Sequence, residues 1–280
     1  MKILSIYTFL LFFVSTTYSF SQQAIQVKTQ GKGQPLLLLA GFANSSAVWE
    51  DTLQHLDSNY QYHLVDYAGF NGLQPIETPW LPKVKQALVE YIIEKDLKNL
   101  TIIGHSLGGT LALHLAAELE DRINKIIVVD GLPNTAKLMF PNQQAGSFSY
   151  DNPYAKSQLT MPEENFRQMI AQQVGMMCRN TNKRELITQW IVNTDRETYV
   201  KGYIDYLNFD VTPQLKNITS EVFILAATSY GKAQTEQVYQ SQFQMLEKYD
   251  IRYAEDAAHY IMFDQPEWFY NQLDDILNHG

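Results

Sequence analysis

Cysteine is nearly missing from this chain. Its 280 residues hold one, Cys178, so no disulfide can form within it and stability must come from a packed core. The lone thiol is expected to be packed as well. Lysine- and arginine-rich clusters are also missing, and the formal net charge is −9. Nucleic acid and anionic membrane surfaces are therefore poor partners for it. After one short apolar run at the start, no segment is long and apolar enough to cross a bilayer. Repeats and low-complexity tracts are absent. Histidines and carboxylates nowhere show metal-ligand spacing, so the chain calls for no metal and no other cofactor.

The apolar run that is present covers residues 3–14, after Met1-Lys2 and before the small residues Ser19 and Ser21. This is the pattern of a secretory signal peptide over residues 1–21, cleaved after Ser21. The run is too short for a transmembrane anchor, and no cysteine near the cleavage site invites lipidation. The mature chain is expected to be exported, to the periplasm or beyond.

About 260 residues follow, enough for one large α/β domain or a domain with a substantial insertion. Residues 24–29 alternate like an edge strand, 31–35 turn the chain, and 36–40 are apolar enough for a strand covered on both faces. Gly41-Phe42-Ala43-Asn44-Ser45-Ser46 leaves that strand where α/β sheets place ligand contacts. An ordinary tight connection is the alternative. Residues 60–65 form a further strand, 80–95 a helix on one sheet face, and 123–129 a buried strand ending in Asp130-Gly131. Asp66 reads as a residue that fixes its loop through backbone hydrogen bonds.

The most informative stretch lies between these. Leu100-Thr101-Ile102-Ile103 leads into Gly104-His105-Ser106-Leu107-Gly108-Gly109, and an apolar, alanine-rich, proline-free segment follows over 110–119. Strand, tight turn and helix around Gly-x-Ser-x-Gly make a nucleophile elbow with Ser106 at its apex. The flanking glycines leave room for the turn and relieve the strain of unfavourable dihedrals at the serine.

From residue 132 to about 220 clear strands vanish. Helical stretches near 163–178, 183–193 and 195–207 carry Met161, Met169, Met176, Met177 and several tyrosines. Such an insertion between strands is a helical cap, whose methionines either line an apolar pocket or fill the cap's own core. Asn217-Ile218-Thr219 is a formal glycosylation sequon. Residues 222–227 resume the sheet, 251–253 add a short last strand, and His259 precedes a final helix that ends near Leu277.

Four pieces now carry a resemblance. They are Gly41-Phe42 after an apolar strand, Asp66-x-x-Gly69-Phe70-x-Gly72, the hexapeptide 104–109, and late His259 followed by Pro266-x-x-Phe269. With them the chain resembles the α/β-hydrolase superfamily over essentially its whole mature length, and most of all its capped esterase and lipase-like serine hydrolases. The resemblance implies an α/β-hydrolase fold, a mostly parallel central sheet flanked by helices. Its core would lie in 22–131 and 221–280, with a helical cap at 132–220 between the sixth and seventh strands. It also implies that Ser106 attacks an acyl carbonyl while His259 takes and returns the proton. The backbone N–H groups of Phe42 and Leu107 would receive the oxyanion.

Two departures stand out. Ala40 occupies a position where the family often has histidine. More seriously, no carboxylate occurs in residues 226–232, the usual place of the acid. The resemblance offers a second place, the end of the sixth strand, where Asp130 stands. Glu255, Asp256 or a dyad without an acid are the alternatives. The expected function is an exported serine hydrolase cleaving carboxylic esters of small, apolar substrates, with lactones and thioesters within its reach. Carbon–carbon bond hydrolysis or another reaction on the same fold is the alternative, as is a catalytically decayed protein that binds small molecules.

Overall fold

The computed structural model describes residues 23–56, 59–229 and 231–279. The expected signal peptide at 1–21 and its cleavage site lie outside these residues. Leu36 to Leu39, Ile102 and Ile103, and Ile126 to Val129 have no measurable exposure. Apolar side chains alternate faces along a strand, so continuous runs of them need cover on both sides of the sheet. That requirement places these runs at the centre.

Seven strands form one sheet, in the order β1-β3-β2-β4-β5-β6-β7. They are β1 Ile25–Gly31, β2 Gln34–Leu39, β3 Tyr60–Tyr67, β4 Leu100–His105, β5 Ile123–Val129, β6 Glu221–Ala227 and β7 Asp250–Ala254. Only β1 runs antiparallel, pairing with β3; every other neighbouring pair is parallel. The turn expected over 31–35 is shorter than the sequence suggests. Gly31 still pairs with Gln61, which leaves Lys32 and Gly33 to reverse the chain. Gly33 sits at φ 131°, and a Cβ there would stand 1.8 Å from Asn59 O, so only glycine fits.

Short helix α1 (Glu50–Leu53) follows β2, α2 (Trp80–Glu94) follows β3, and α3 (Leu107–Glu118) follows β4. Between β5 and β6 come α4 (Thr135–Met139), α5 (Pro153–Thr160), α6 (Glu163–Met177), α7 (Thr181–Val192) and α8 (Arg196–Leu207). The chain then adds α9 (Lys232–Phe243), α10 (Ile261–Asp264) and α11 (Pro266–His279). Seven strands are described, so the insertion falls between the fifth and sixth, one lower than the count the resemblance implies. The residues that flank it are those expected.

Helices α4, α5 and α9 carry little apolar periodicity, which is why the sequence does not display them. Helix α5 is fixed by its start: Asn152 accepts a hydrogen bond from Ala155 N, and Pro153 opens the first turn. Helix α9 buries only Thr235, Tyr239, Gln242 and Phe243. Met161, Met169 and Met177 pack half-buried against the main core, while Met176 is 75% exposed. Cys178 is buried, and burial with the neighbouring Asp264 charge pushes its thiol up to about 12. Among the described residues no helix is long and apolar enough to cross a membrane.

Candidate active site

Backbone crowding builds the elbow. Ser106 holds φ 55° and ψ −119° between the last residue of β4 and the first of α3. A Cβ on Gly104 would stand 2.2 Å from Gly108 O, and one on Gly108 would stand 2.2 Å from Leu39 O. The turn is thus pressed onto the first turn of α3 and onto the end of β2. A Cβ on Gly41 would lie 3.2 Å from Ser106 Cβ, so the loop after β2 passes directly beside Ser106. Phe42 N and Leu107 N both flank this contact. Among the described residues neither has a hydrogen-bond acceptor, as expected for Leu107 in the first turn of a helix.

Asp130 and His259 are 129 residues apart in sequence and meet here. His259 Nδ1 donates to Asp130 Oδ2 at 2.7 Å; a carboxylate can only accept, which fixes the proton on Nδ1. Asp130 Oδ1 accepts from Ala227 N at 2.9 Å and from the Tyr239 hydroxyl at 3.2 Å. The end of β6, where a carboxylate is missing, therefore supplies a backbone donor to the carboxylate of β5. Asp130 itself sits at φ 46°. The glycine after it is required, because a Cβ on Gly131 would stand 2.8 Å from Ser106 O. Glu255 and Asp256 face Lys232 and Arg179 instead, with side chains 73% and 87% exposed. Neither partners His259.

The His259 ring packs against His105, the residue before Ser106, with ring centroids 4.6 Å apart. Among the described residues no hydrogen bond joins Ser106 to His259, whose Nδ1 is held by Asp130. Alignment of nucleophile and base commonly tightens only when substrate binds.

Further positioning groups surround these residues. His105 Nε2 donates to His259 O at 2.9 Å, holding the backbone of that histidine. Burial, and the neighbouring His259 after it, keep His105 well below 6.5 and neutral. Among the described residues its buried Nδ1 has no hydrogen-bond partner. Asn44 Nδ2 donates to Phe42 O at 2.8 Å, and its Oδ1 accepts from the Tyr260 hydroxyl at 3.0 Å. One amide thus ties the Phe42 loop to the His259 loop. Asp264 accepts from Ala258 N at 2.8 Å and from Arg179 N at 2.8 Å, joining that loop to the end of α6. Asp66 receives Ser46 N and Ser46 Oγ, each at 2.7 Å, and fixes the Phe42 loop from its other side. The only signal for Asn44 and Tyr260 in sequence is that each stands near a site residue.

Helix α8 roofs the site with tyrosines. The Phe42 ring contacts Tyr203, Tyr199 and Tyr206 at centroid distances of 5.4, 5.8 and 6.4 Å. Below it lie Phe70 at 5.2 Å and Trp80 at 5.9 Å. Among the described residues no cluster of His, Cys, Asp and Glu is arranged to hold a metal ion.

Several known proteins share this architecture. Over 113 residues the chain is 32% identical to a pimeloyl-(acyl-carrier protein) methyl ester esterase of Vibrio cholerae, covering 40% of this chain and 43% of that one. A protein of the same name from Nitrosospira multiformis is 34% identical over 119 residues, 41% of this chain and 45% of that one. The chain thus matches less than half the length of these curated relatives. An esterase from Exiguobacterium antarcticum superposes with a TM-score of 0.74 at 19% identity, covering 90% of this chain and 95% of that one. An enol-lactonase from Burkholderia xenovorans gives 0.73 at 17% identity, with 91% and 96% covered. At such identities the two structures establish the fold alone. The model of the alpha/beta hydrolase family matches residues 36–272. A match that runs from β2 into α11 is not confined to one motif, and on it this chain belongs to the alpha/beta hydrolase family.

Proposed function

We propose that this protein hydrolyses carboxylic esters through an acyl-enzyme on Ser106. The observation that carries the reading is the 2.7 Å bond between His259 Nδ1 and Asp130 Oδ2 beside an elbow serine. With Nδ1 protonated, His259 Nε2 is left as an acceptor, the state a general base needs. Ser106 Oγ attacks the acyl carbonyl and passes its proton to Nε2, and the leaving alcohol then takes that proton. Phe42 N and Leu107 N receive the charge on the carbonyl oxygen; losing one such donor typically costs roughly 3–4 kcal/mol. Water repeats the sequence and releases the acid. Ester-cleaving relatives support the bond type, and the enol-lactonase keeps lactones within the same chemistry.

Phe42 and the α8 tyrosines make the walls near Ser106 apolar and aromatic, which suits an uncharged acyl group. The insertion 132–220 acts as the cap that sets its length. Export is part of the same proposal and rests on the apolar segment 3–14; recovery of a mature chain beginning near Gln22 from a periplasmic fraction tests it.

The direct test is hydrolysis of p-nitrophenyl esters from acetate to dodecanoate, with Ser106→Ala beside the natural chain. Turnover should fall by about 10⁶ in the variant. Equal rates in both would end the proposal.

A further inference from the structure

Asn44 shapes the loop that passes beside Ser106. Gly41 O accepts from Asn44 N at 3.2 Å, which closes a four-residue turn over Gly41-Phe42-Ala43-Asn44. Ala43, third in the turn, sits at φ 56°, whereas Phe42 keeps a negative φ. That combination is a type II turn, whose third position normally holds glycine or asparagine. The side chain of Asn44 takes up the next peptide of the same turn. Its Nδ2 donates to Phe42 O at 2.8 Å, and its Oδ1 accepts from the Tyr260 hydroxyl at 3.0 Å. A carbonyl only accepts, so Phe42 O must face the NH₂ and leave Oδ1 to the phenol. Asn44 is 3% exposed and Tyr260 1%, so water competes for neither bond. One residue thus holds both peptides that flank the Phe42 Cα, the preceding one through its N–H and the following one through its amide.

We propose that Asn44 is a positioning residue that keeps Phe42 N aimed at the substrate's carbonyl oxygen by locking this strained turn. The inference rests on the serine-hydrolase reading above. Turning over the peptide between Phe42 and Ala43 converts type II to type I. It brings Ala43 back to a φ of about −90°, where a residue with a Cβ is at ease. The alanine therefore biases the turn toward that second form. The turnover breaks the bond from Nδ2 to Phe42 O, and that loss is what opposes it. An oxyanion donor works only within about 2.7–3.1 Å of the forming charge. A turn shared between two forms presents Phe42 N in register for only part of the time. Aspartate at position 44 would set an acceptor against Phe42 O, and leucine would leave Phe42 O and the Tyr260 hydroxyl buried and unpaired. Tyr260 follows His259 in the chain, so the amide that sets the oxyanion donor is also tied to the loop that carries the base.

Steady-state hydrolysis of p-nitrophenyl butyrate, with inhibition by an alkyl trifluoromethyl ketone, tests this. Ser106 Oγ bonds to the ketone's carbonyl carbon, His259 takes the proton, and the ketone oxygen becomes the charge that Phe42 N and Leu107 N receive. Asn44→Ala should lower kcat about thirtyfold, part of the roughly 10²–10³ that losing a whole donor costs. KM should stay within about threefold, and the ketone should weaken by the factor lost from kcat/KM. Glycine is at ease at positive φ, so Ala43→Gly added to Asn44→Ala should regain about tenfold in kcat. Tyr260→Phe keeps the bond to Phe42 O, and its kcat should fall about threefold at most. Asn44→Ala with Tyr260→Phe leaves no unpaired phenol in the core and should repeat the loss, which keeps the test open where the single variant folds poorly. An Asn44→Ala chain with natural kcat overturns the proposal, as does a loss that glycine at position 43 does not relieve. A Tyr260→Phe loss as large as that of Asn44→Ala overturns it too, since the tie to the His259 loop would then carry the effect. A natural chain inert toward every ester and toward the ketone fails the serine-hydrolase reading first. An active natural chain beside an unaffected Asn44→Ala fails this inference alone.

Discussion

The elbow and the seat of the acid lie side by side, yet they are built in opposite ways. The elbow is backbone: consecutive residues from Gly104 to Gly109, a strained φ at Ser106, and glycines at which a Cβ would stand 2.2 Å from a neighbouring backbone oxygen. Hardly any other sequence could occupy it. The acid's seat is made of side chains and loop ends from Asp130, Ala227, Tyr239 and His259, drawn from three parts of the chain. A parallel sheet holds neighbouring strand ends about 5 Å apart, so a carboxylate from either β5 or β6 can reach the same histidine. The comparison teaches that the chemistry fixes where the acid must arrive, and leaves open which strand brings it.

Breaking the seat should cost the most activity and little stability. In Asp130→Asn the donors Ala227 N and Tyr239 pin the amide oxygen to the Oδ1 side, which turns the NH₂ toward His259 Nδ1. The ring must then carry its proton on Nε2, facing Ser106 with a donor. A fall of about 10⁴ in kcat with an unchanged melting curve is expected, since the same loss of tautomer costs that much in serine proteases. The elbow should show the reverse. Gly108→Ala drives a Cβ into the backbone of Leu39 and Ala40, and denaturant titration should show a stability loss of about 3 kcal/mol. Tyr239→Phe sharpens the comparison further. It removes one of the two pins on Oδ1 and keeps Ala227 N, so kcat should drop by about tenfold at most.

The smallest effect concerns His105. In the folded chain it stays neutral well below 6.5, whereas the unfolded chain protonates it near that value. Its stabilising contribution is therefore present above about pH 6.5 and lost as pH falls below it. His63 and His114 are lowered by burial too and share this limb. Glutamine at position 105 can keep a donor for His259 O without titrating. The drop in melting temperature between about pH 7.5 and about pH 5.5 should shrink by roughly 2 °C in His105→Gln.

What could be read from the sequence follows the same division. Central strands show as unbroken apolar runs, and β2, β4, β5 and β6 appear where those runs lie. The elbow shows because its glycines and serine must be contiguous. Helices α4, α5 and α9 stay hidden, since caps and tertiary contacts hold them where periodicity is weak. Asn44, Tyr260 and Tyr239 stay hidden as well: each acts through one hydrogen bond to a distant residue, and such a bond leaves no pattern along the chain.

The sequence by itself determined the order of the sheet-forming runs, the strained turn at Ser106 and the late position of His259. Each of these is enforced by neighbours within a few residues. Only the tertiary structure decided that Asp130 rather than Glu255 or Asp256 meets the histidine, and that Tyr206 of α8 reaches Thr110 of α3. Those pairings span about a hundred residues or more, and strand order and the docking of α8 bring their atoms within bonding distance.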